Sequence, residues 1–208
     1  MKKVNRPVMI VIFLFFCGGV IFGVKTAVHY LNQDLNLTIL ARSKGDPNAP
    51  IKIVEFIDFP CEPCALGAEY LNAFMEEHPG TVRLEVRYYP LVMHQHAMVS
   101  ARYAECAARQ DKFWPFHNSL FQRQKQWVNL KNISGIFNLL AKEANLDLKK
   151  LKVCLRDQAV DAVIKNNKRE GKSIEVMATP TFFVNEQKII GKAELEPGLN
   201  RLLKKIGK

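Results

Sequence analysis

The chain contains 208 residues, 48% of them hydrophobic, which suits one good core or one domain with an insertion. Two independent domains would be a tight fit. The formal net charge of +10 is compatible with a nucleic-acid partner. However, the lysines are spread along the chain, and no compact basic run or aromatic-basic motif is present. We therefore expect no nucleic-acid binding.

The N-terminal sequence predicts a membrane attachment. Basic residues precede an uncharged apolar run, residues 8–24, which includes Cys17 and would span roughly 25 Å as a helix. Lys25 disrupts each plausible small-x-small cleavage site, so an uncleaved anchor is favoured over a cleaved signal. Basic residues are denser before the run than just after it, which directs the rest of the chain away from the cytoplasm. We expect residues 1–25 to anchor the protein on the periplasmic side of the inner membrane. The alternative is a soluble periplasmic protein with a cleaved signal.

The next segments predict a βαβ unit. Residues 26–50 resemble a linker and end in the turn-rich sequence "SKGDPNAP". The run "IKIVEFIDF" predicts a buried strand, and helical spacing begins at Cys61 and ends at "HPG", residues 78–80. The alternating run "TVRLEVRYY" predicts a second strand. A strand, a helix and a strand of these lengths require a crossover and a parallel pair.

The second half of the chain is predicted to be mainly helical. Helical periodicity with few strand signals extends from about His96 to Glu175. The run "MATPTFFVNEQKII" returns to strand character, with "NEQ" as a hairpin turn. A last helix is predicted from about Glu196 to Lys205.

Cys61 and Cys64, with two residues between them, lie where the first predicted strand ends and the first predicted helix begins. The start of a helix offers unpaired N–H groups and the positive end of the helix dipole, which stabilise a thiolate at Cys61. Cys64, one turn further on, is expected to be the resolving thiol. A structural zinc needs four ligands, and only His94 and His96 lie at close spacing. We interpret those histidines as loop residues, while a Cys/His metal-binding chaperone remains the alternative from another class.

The chain resembles the DsbA-like thiol:disulfide oxidoreductases in three segments that occur in the same order. These are "VEFIDFPCEPC", "AECAARQDKFWPFHNSLF" and "ATPTFFVN". The resemblance covers roughly residues 45–206 and implies an α/β, thioredoxin-like fold with an inserted α-helical domain, here preceded by a transmembrane helix. It divides the chain into a first thioredoxin-like part (51–94), a helical insertion (95–175) and a second thioredoxin-like part (176–208).

The resemblance also assigns the catalytic residues. It implies that Cys61 is the attacking cysteine, that Cys64 is its partner and that Pro180 is a cis-proline facing the pair. Glu55 matches a buried acidic residue below the active site of the family. Burial disfavours the charged form of a carboxyl group, so Glu55 is expected to exchange a proton with Cys64.

Residues at the rim are expected to contact substrate. They are Thr179, before the proline, and Glu62 and Pro63, between the two thiols. Glu62-Pro63 departs from the Pro-His dipeptide of the strongest oxidants in the family. An acidic residue beside the Cys61 thiolate should raise its pKa, which does not favour strong oxidising power.

A second cysteine pair, Cys106 and Cys154, lies on apolar helix faces of the predicted insertion. Buried free cysteines are common, so burial alone does not pair them. An oxidising compartment favours pairing, and proteins that resemble this one often carry a cysteine pair here. We therefore expect a structural disulfide.

The predicted function is thiol-disulfide exchange on exported proteins, with disulfide formation as the favoured direction. A periplasmic reductase or isomerase is the alternative within the same class. The expected partners are exported proteins with cysteines and a membrane redox partner that resets Cys61 and Cys64. No cofactor and no metal are expected.

Overall fold

The structure is a computed structural model that describes residues 38–207. The predicted anchor at residues 8–24 lies outside the described residues. Among the residues that are described, no helix is both long enough and apolar enough to cross a membrane.

Within the described residues, five strands form one sheet. Their order across the sheet is β1-β3-β2-β4-β5. The pair β2 and β3 is parallel, as the predicted βαβ unit requires, and the other neighbours are antiparallel. The strands are β1 (Ser43–Lys44), β2 (Ile51–Ile57), β3 (Val82–Tyr88), β4 (Thr181–Val184) and β5 (Gln187–Ile190).

Helices cover the sheet and form the insertion. Helix α1 connects β2 to β3, six helices lie between β3 and β4 in sequence, and α8 follows β5. The predicted α/β fold with a helical insertion is therefore confirmed. The helices are α1 (Glu62–Glu77), α2 (Ala97–Ala108), α3 (Phe113–Gln122), α4 (Gln124–Trp127), α5 (Ser134–Glu143), α6 (Leu148–Cys154), α7 (Gln158–Ser173) and α8 (Gly191–Lys205).

The sequence pattern explains how α1 is placed. Cys61 is its N-cap residue, a proline follows in the first turn, and His78 is its C-cap, so the helix ends at the predicted "HPG". Leu71 and Phe74 lie on its buried face and join the core beneath the sheet. Other members of that core come from β2, β3, β4, β5 and α8, among them Ile51, Ile53, Leu84, Phe182, Val184, Ile189, Leu195 and Leu199. This packing holds the start of α1 at the carboxyl end of β2.

The segment before β2 belongs partly to the sheet, whereas the sequence predicts a linker over residues 26–50. Strand β1 pairs antiparallel with β3. Arg42, just before it, is fully buried and donates to the Val86 carbonyl at 2.9 Å and to Asn167 Oδ1 at 2.8 Å. A two-residue strand has no periodicity, and arginine is seldom fully buried, so the sequence pattern does not reveal this contact.

The sequence predicts the turn between β4 and β5 correctly but places the start of the last helix too late. The hairpin turn between β4 and β5 is confirmed: Asn185 and Glu186 both have positive φ, as a two-residue type I′ turn requires. The predicted start of the last helix at Glu196 is wrong, because α8 begins at Gly191. The Glu194 carboxylate accepts the Ile190 N–H at 3.3 Å and so satisfies an unpaired donor at the earlier start.

Cys106 of α2 and Cys154 of α6 are joined by a disulfide bond within the insertion. The two residues are 48 positions apart in the chain. Cross-linking them restricts the unfolded chain and ties two helices of the insertion together.

We predict that Cys106→Ala/Cys154→Ala lowers the free energy of unfolding by about 4 kcal/mol, because the unfolded chain regains the entropy of the open loop. Denaturant unfolding of the full chain measures the change, and Cys17→Ala is the control for removal of a thiol. In the oxidised, denatured wild-type chain, an alkylating reagent should label neither Cys106 nor Cys154. Labelling of either residue there contradicts the prediction.

Candidate active site

Cys61 and Cys64 lie at the junction of β2 and α1. Cys61 has extended backbone angles as the N-cap residue, and Cys64 lies in the first turn. The Cys61 carbonyl accepts the N–H groups of Cys64 at 3.1 Å and of Ala65 at 3.3 Å. Both thiols are free, and Cys61 is 6% exposed whereas Cys64 is fully buried. Cys61 is therefore the thiol that a partner reaches first.

The environment separates the pKa values of the two thiols. The Cys64 side chain lowers the pKa of Cys61 to about 6 by hydrogen bonding, although burial opposes the shift. The Cys64 backbone lowers it further, and the charge of Asp58 raises it. Burial first, and Cys61 second, raise the pKa of Cys64 well above 9.0. At neutral pH the pair thus holds one thiolate, on Cys61, and one thiol, on Cys64.

The loop before β4 brings Thr179 and Pro180 to the same place. The peptide bond between them is cis. The Thr179 carbonyl oxygen lies 3.2 Å from Cys61 Sγ. Gly67 of α1 allows a close approach from below, because a Cβ atom there would lie 3.1 Å from Phe182 and 3.5 Å from Pro180.

Glu55 lies on β2 and is 1% exposed. Neither of its carboxyl oxygens has a hydrogen-bond partner among the described residues. Burial raises the pKa of Glu55 to about 8, and the charge of Lys44 on β1 acts in the opposite direction. The charge of Glu55 in turn contributes to the raised pKa of Cys64. A protonated carboxyl group therefore lies within electrostatic reach of the buried thiol.

The helical insertion contributes one polar side chain to this junction. The buried Gln124 of α4 donates from Nε2 to the Phe59 carbonyl at 2.7 Å and to the Cys61 carbonyl at 2.9 Å. These bonds satisfy two carbonyl groups of the turn that carries Cys61. The insertion therefore fixes the backbone of the reactive residue.

The comparison with known proteins identifies the family. A family model described as thioredoxin matches residues 39–205, most of the chain. The chain belongs to the thioredoxin family. Its relatives include the probable disulfide bond formation protein D of Bacillus anthracis, which is 26% identical over 152 residues, 69% of each chain. The crystal structure of Pseudomonas aeruginosa DsbA2 superposes with a TM-score of 0.61 at 25% identity and covers 81% of this chain and 97% of that one.

This chain also matches part of longer relatives. The Na(+)/H(+) antiporter NhaA of Herminiimonas arsenicoxydans is 29% identical over 148 residues, 71% of this chain. The match covers 23% of the antiporter, so this thioredoxin-family chain corresponds to about a quarter of that protein's length. The family match, the B. anthracis relative and the P. aeruginosa DsbA2 structure together confirm the resemblance to DsbA-like oxidoreductases that the sequence indicates.

The remaining candidate residues of this thioredoxin-family site are more dispersed. Glu62 and Pro63 are exposed, and Glu62 lines a groove of about 560 Å³ between α1 and the α3–α4 segment. His94 Nδ1 lies 2.6 Å from Asp58 Oδ2, and His96 Nε2 lies 2.6 Å from the Leu130 carbonyl oxygen. Within residues 38–207, no three His, Cys, Asp or Glu side chains are grouped so that they hold a metal ion.

Sequence reasoning missed three residues of the site: Lys44, Asp58 and Gln124. The acidic residue whose charge raises the pKa of Cys61 is Asp58, whereas the sequence predicts this effect for Glu62. The position of Asp58, three residues before Cys61 at the end of a buried strand, is the one signal that points to it. Nothing in the local sequence marks Lys44 or Gln124, because both reach the site from distant elements.

We predict that Glu55→Gln stabilises the protein at pH 8. The pKa of Glu55 is raised from 4.5 to about 8, so its protonated form favours folding below pH 4.5 and this advantage is lost as the pH rises to 8. A glutamine does not ionise, so at pH 8 the variant should gain about 2 to 5 kcal/mol over the wild type, and at pH 4.5 it should gain little. Denaturant unfolding at both pH values measures this difference, with the exposed Glu69→Gln as control. Equal gains at the two pH values contradict the prediction.

Proposed function

We propose that this chain catalyses thiol-disulfide exchange on cysteine-containing proteins through Cys61 and Cys64. The observation that carries the proposal is the placement of two free cysteines at the start of α1, with Cys61 at the N-cap and Cys64 buried in the first turn. In this environment the pKa of Cys61 is lowered to about 6 and that of Cys64 is raised well above its usual value. The thiolate is the reactive form of cysteine, so Cys61 is a nucleophile and a good leaving group at neutral pH. Cys64 stays protonated at neutral pH because its burial raises its pKa.

The exchange proceeds in two displacements. With the pair oxidised, a substrate thiolate attacks Cys61 Sγ, the Cys61–Cys64 bond breaks, and Cys64 leaves with the electron pair. Glu55, which holds a proton at neutral pH, protonates the buried Cys64 thiolate. A second substrate thiolate then attacks the substrate sulfur of the mixed disulfide, and Cys61 leaves as a thiolate. The substrate loses two electrons and gains a disulfide, and the enzyme pair is reduced.

Disulfide formation is the direction that we favour. A stable Cys61 thiolate stabilises the reduced enzyme, and this makes the oxidised pair a better oxidant. The name of the B. anthracis relative, a probable disulfide bond formation protein, supports the same direction. A reductase uses these steps in reverse, whereas an isomerase begins with attack of reduced Cys61 on a substrate disulfide and is released with no net transfer of electrons. The charge of Asp58 near Cys61 acts toward these alternatives.

The rim of the site suits a polypeptide substrate. The Thr179 carbonyl lies beside Cys61 Sγ, in the segment just before β4 begins. An extended peptide that pairs with the backbone of this segment gains main-chain hydrogen bonds while its cysteine reaches Cys61. Glu62 and Pro63, exposed between the thiols, complete the rim on the side of α1.

We place the reaction on the exported side of a membrane. The apolar run at residues 8–24, with its preceding basic residues, supports an anchor that leaves the catalytic domain outside the cytoplasm. The substrates are then exported proteins with cysteines, and a redox partner in the membrane accepts the electrons from the reduced pair. Nothing in this scheme requires nucleic acid or a cofactor.

If residues 8–24 anchor the protein, the full chain should stay in the membrane fraction after extraction at alkaline pH, because an apolar helix partitions into the bilayer. Expression in a bacterial host followed by immunoblotting of the pellet measures this. The control is a chain in which residues 1–25 are replaced by a cleavable signal peptide, which should be released. Release of the full chain, or a mature form shortened by the length of a signal, favours the cleaved alternative.

We predict that serine substitutions at the two active-site cysteines have different effects on exchange. Cys61→Ser should abolish exchange, since no attacking sulfur remains, and Cys64→Ser should accumulate mixed disulfides, since only a resolving thiol releases them. Reduction of an insulin disulfide measures activity, and non-reducing electrophoresis detects the trapped species. Cys17→Ser is the control and should keep the wild-type rate. Substantial activity of Cys61→Ser rules out the proposed role of Cys61.

A further inference from the structure

A groove runs along α1 from the active site, between that helix and the α3–α4 segment. Its volume is about 560 Å³. Glu62, the residue after Cys61, lines it at the start of α1. Gln124, whose Nε2 donates to the Cys61 carbonyl at 2.9 Å, lines it from the insertion. The groove therefore begins within one hydrogen bond of the backbone of the reactive cysteine and offers a path for a chain that is bound there.

The α1 wall of the groove is a stripe on one face of the helix. Most of its residues recur every three or four positions, the spacing that places side chains on one face. They are Glu62, Ala65, Leu66, Glu69 and Asn72. From Glu62 to Asn72 this face extends roughly 15 Å along the helix axis. An extended chain rises about 3.3 Å per residue, so the stripe matches about four or five residues of polypeptide.

The opposite wall presents carboxamide groups with unused hydrogen-bonding capacity. Among the described residues, the Gln122 side chain makes no hydrogen bond, and Asn118 Nδ2 and Gln126 Nε2 have no acceptor. Carboxamides both donate and accept hydrogen bonds, as peptide groups do. Phe121 and Leu66, which is 48% exposed, add apolar surface to the groove. Such a lining suits the main chain and apolar side chains of a polypeptide.

The charge of the groove is uneven. Glu62 and Glu69 are exposed on α1, and neither forms an ion pair with a described residue. On the opposite wall, Arg123 is bound to Glu143 at 2.8 Å, whereas Lys125 has no ion pair among the described residues. Two such carboxylates thus face one such ammonium group, in a protein whose formal net charge is +10. The groove therefore favours an occupant with basic side chains.

We propose that this groove binds, in extended form, the polypeptide segment next to the substrate's reactive cysteine, and that Glu69 selects segments with a lysine or an arginine. The proposal rests on the proposed function, since the bound segment carries the cysteine that exchanges with Cys61. It extends the rim of the site beyond Glu62 and Pro63. The carboxamides of the insertion bind the main chain, and the carboxylates of α1 attract the basic side chain.

The experiment compares peptides that each carry one cysteine as a mixed disulfide with a chromogenic thiol. The Cys61 thiolate of the reduced full chain, in neutral detergent, attacks the peptide sulfur. The bond to the chromogenic sulfur breaks, and the chromogenic thiolate leaves with the electron pair, so its absorbance gives the rate constant. The peptides differ only in the residues that flank the cysteine, which are lysine in one and glutamate in the other. Oxidation of the pair by 2-hydroxyethyl disulfide, which has no chain to fill the groove, reports on Cys61 alone.

We expect the lysine peptide to react about two to five times faster than the glutamate peptide at low salt, since exposed charge pairs contribute little each. Glu69→Gln should reduce this ratio. The control Glu77→Gln removes an exposed carboxylate of α1 outside the groove and should keep the ratio. Ala65→Phe partly fills the groove and should slow both peptides. None of these variants should change the rate with 2-hydroxyethyl disulfide, whereas distortion of the turn at Cys61 changes it.

Two results overturn the proposal directly: equal rates for the two peptides with the wild type, or a ratio that Glu69→Gln leaves unchanged. If Ala65→Phe also slows the reaction with 2-hydroxyethyl disulfide, Glu69→Gln decides alone. A second copy of the chain is the alternative occupant. Sedimentation that shows dimers of the wild type and monomers of Ala65→Phe, with equal peptide rates in both, assigns the groove to that copy and overturns the proposal.

Binding without exchange separates this inference from the proposed function. The same peptides with serine in place of cysteine are titrated with the full chain, and fluorescence anisotropy measures their affinity. Tighter binding of the lysine peptide, reduced in Glu69→Gln, supports the groove even if the wild type lacks exchange activity, which refutes the function. A wild type that is active but reacts equally with both peptides refutes the role of the groove alone.

Discussion

The hydrogen bonds that stabilise the Cys61 thiolate at the start of α1 are the interaction on which the site depends. The Cys64 side chain contributes most to this stabilisation, so the partner that later forms the disulfide also stabilises the charge. This requires Cys64 to remain protonated, and its burial achieves that. The core that places α1 against the sheet is therefore a condition for the chemistry, because it keeps Cys64 away from water.

The insertion acts on the thiolate through the backbone. Gln124 holds the carbonyl of Cys61 itself and that of Phe59, two residues before it. The disulfide between Cys106 and Cys154 ties α2 to α6 within the same insertion. The helical insertion is therefore part of the active site, because Gln124 helps to fix the orientation of the first turn of α1.

The sequence predicts the features that leave a local pattern. Strand β2, helix α1 and the parallel strand β3 follow from periodicity, and the position of Cys61 at a strand-to-helix junction predicts its chemistry. Contacts between distant polar residues leave no such pattern. Asp58 and His94 are 36 positions apart, and the buried Arg42 precedes a strand of only two residues. Their partners are set by the tertiary fold, which periodicity does not encode.

Two buried acids, Glu55 and Asp58, lie near the active-site thiols, and their hydrogen-bond partners distinguish them. Glu55 has no hydrogen-bond partner among the described residues and holds its proton up to a pH of about 8, so at neutral pH it is a proton donor rather than a charge. Burial raises the pKa of Asp58 as well, and the hydrogen bonds from His94 and the Leu91 N–H oppose that shift. The carboxylate that bears on Cys61 is thus the one with partners.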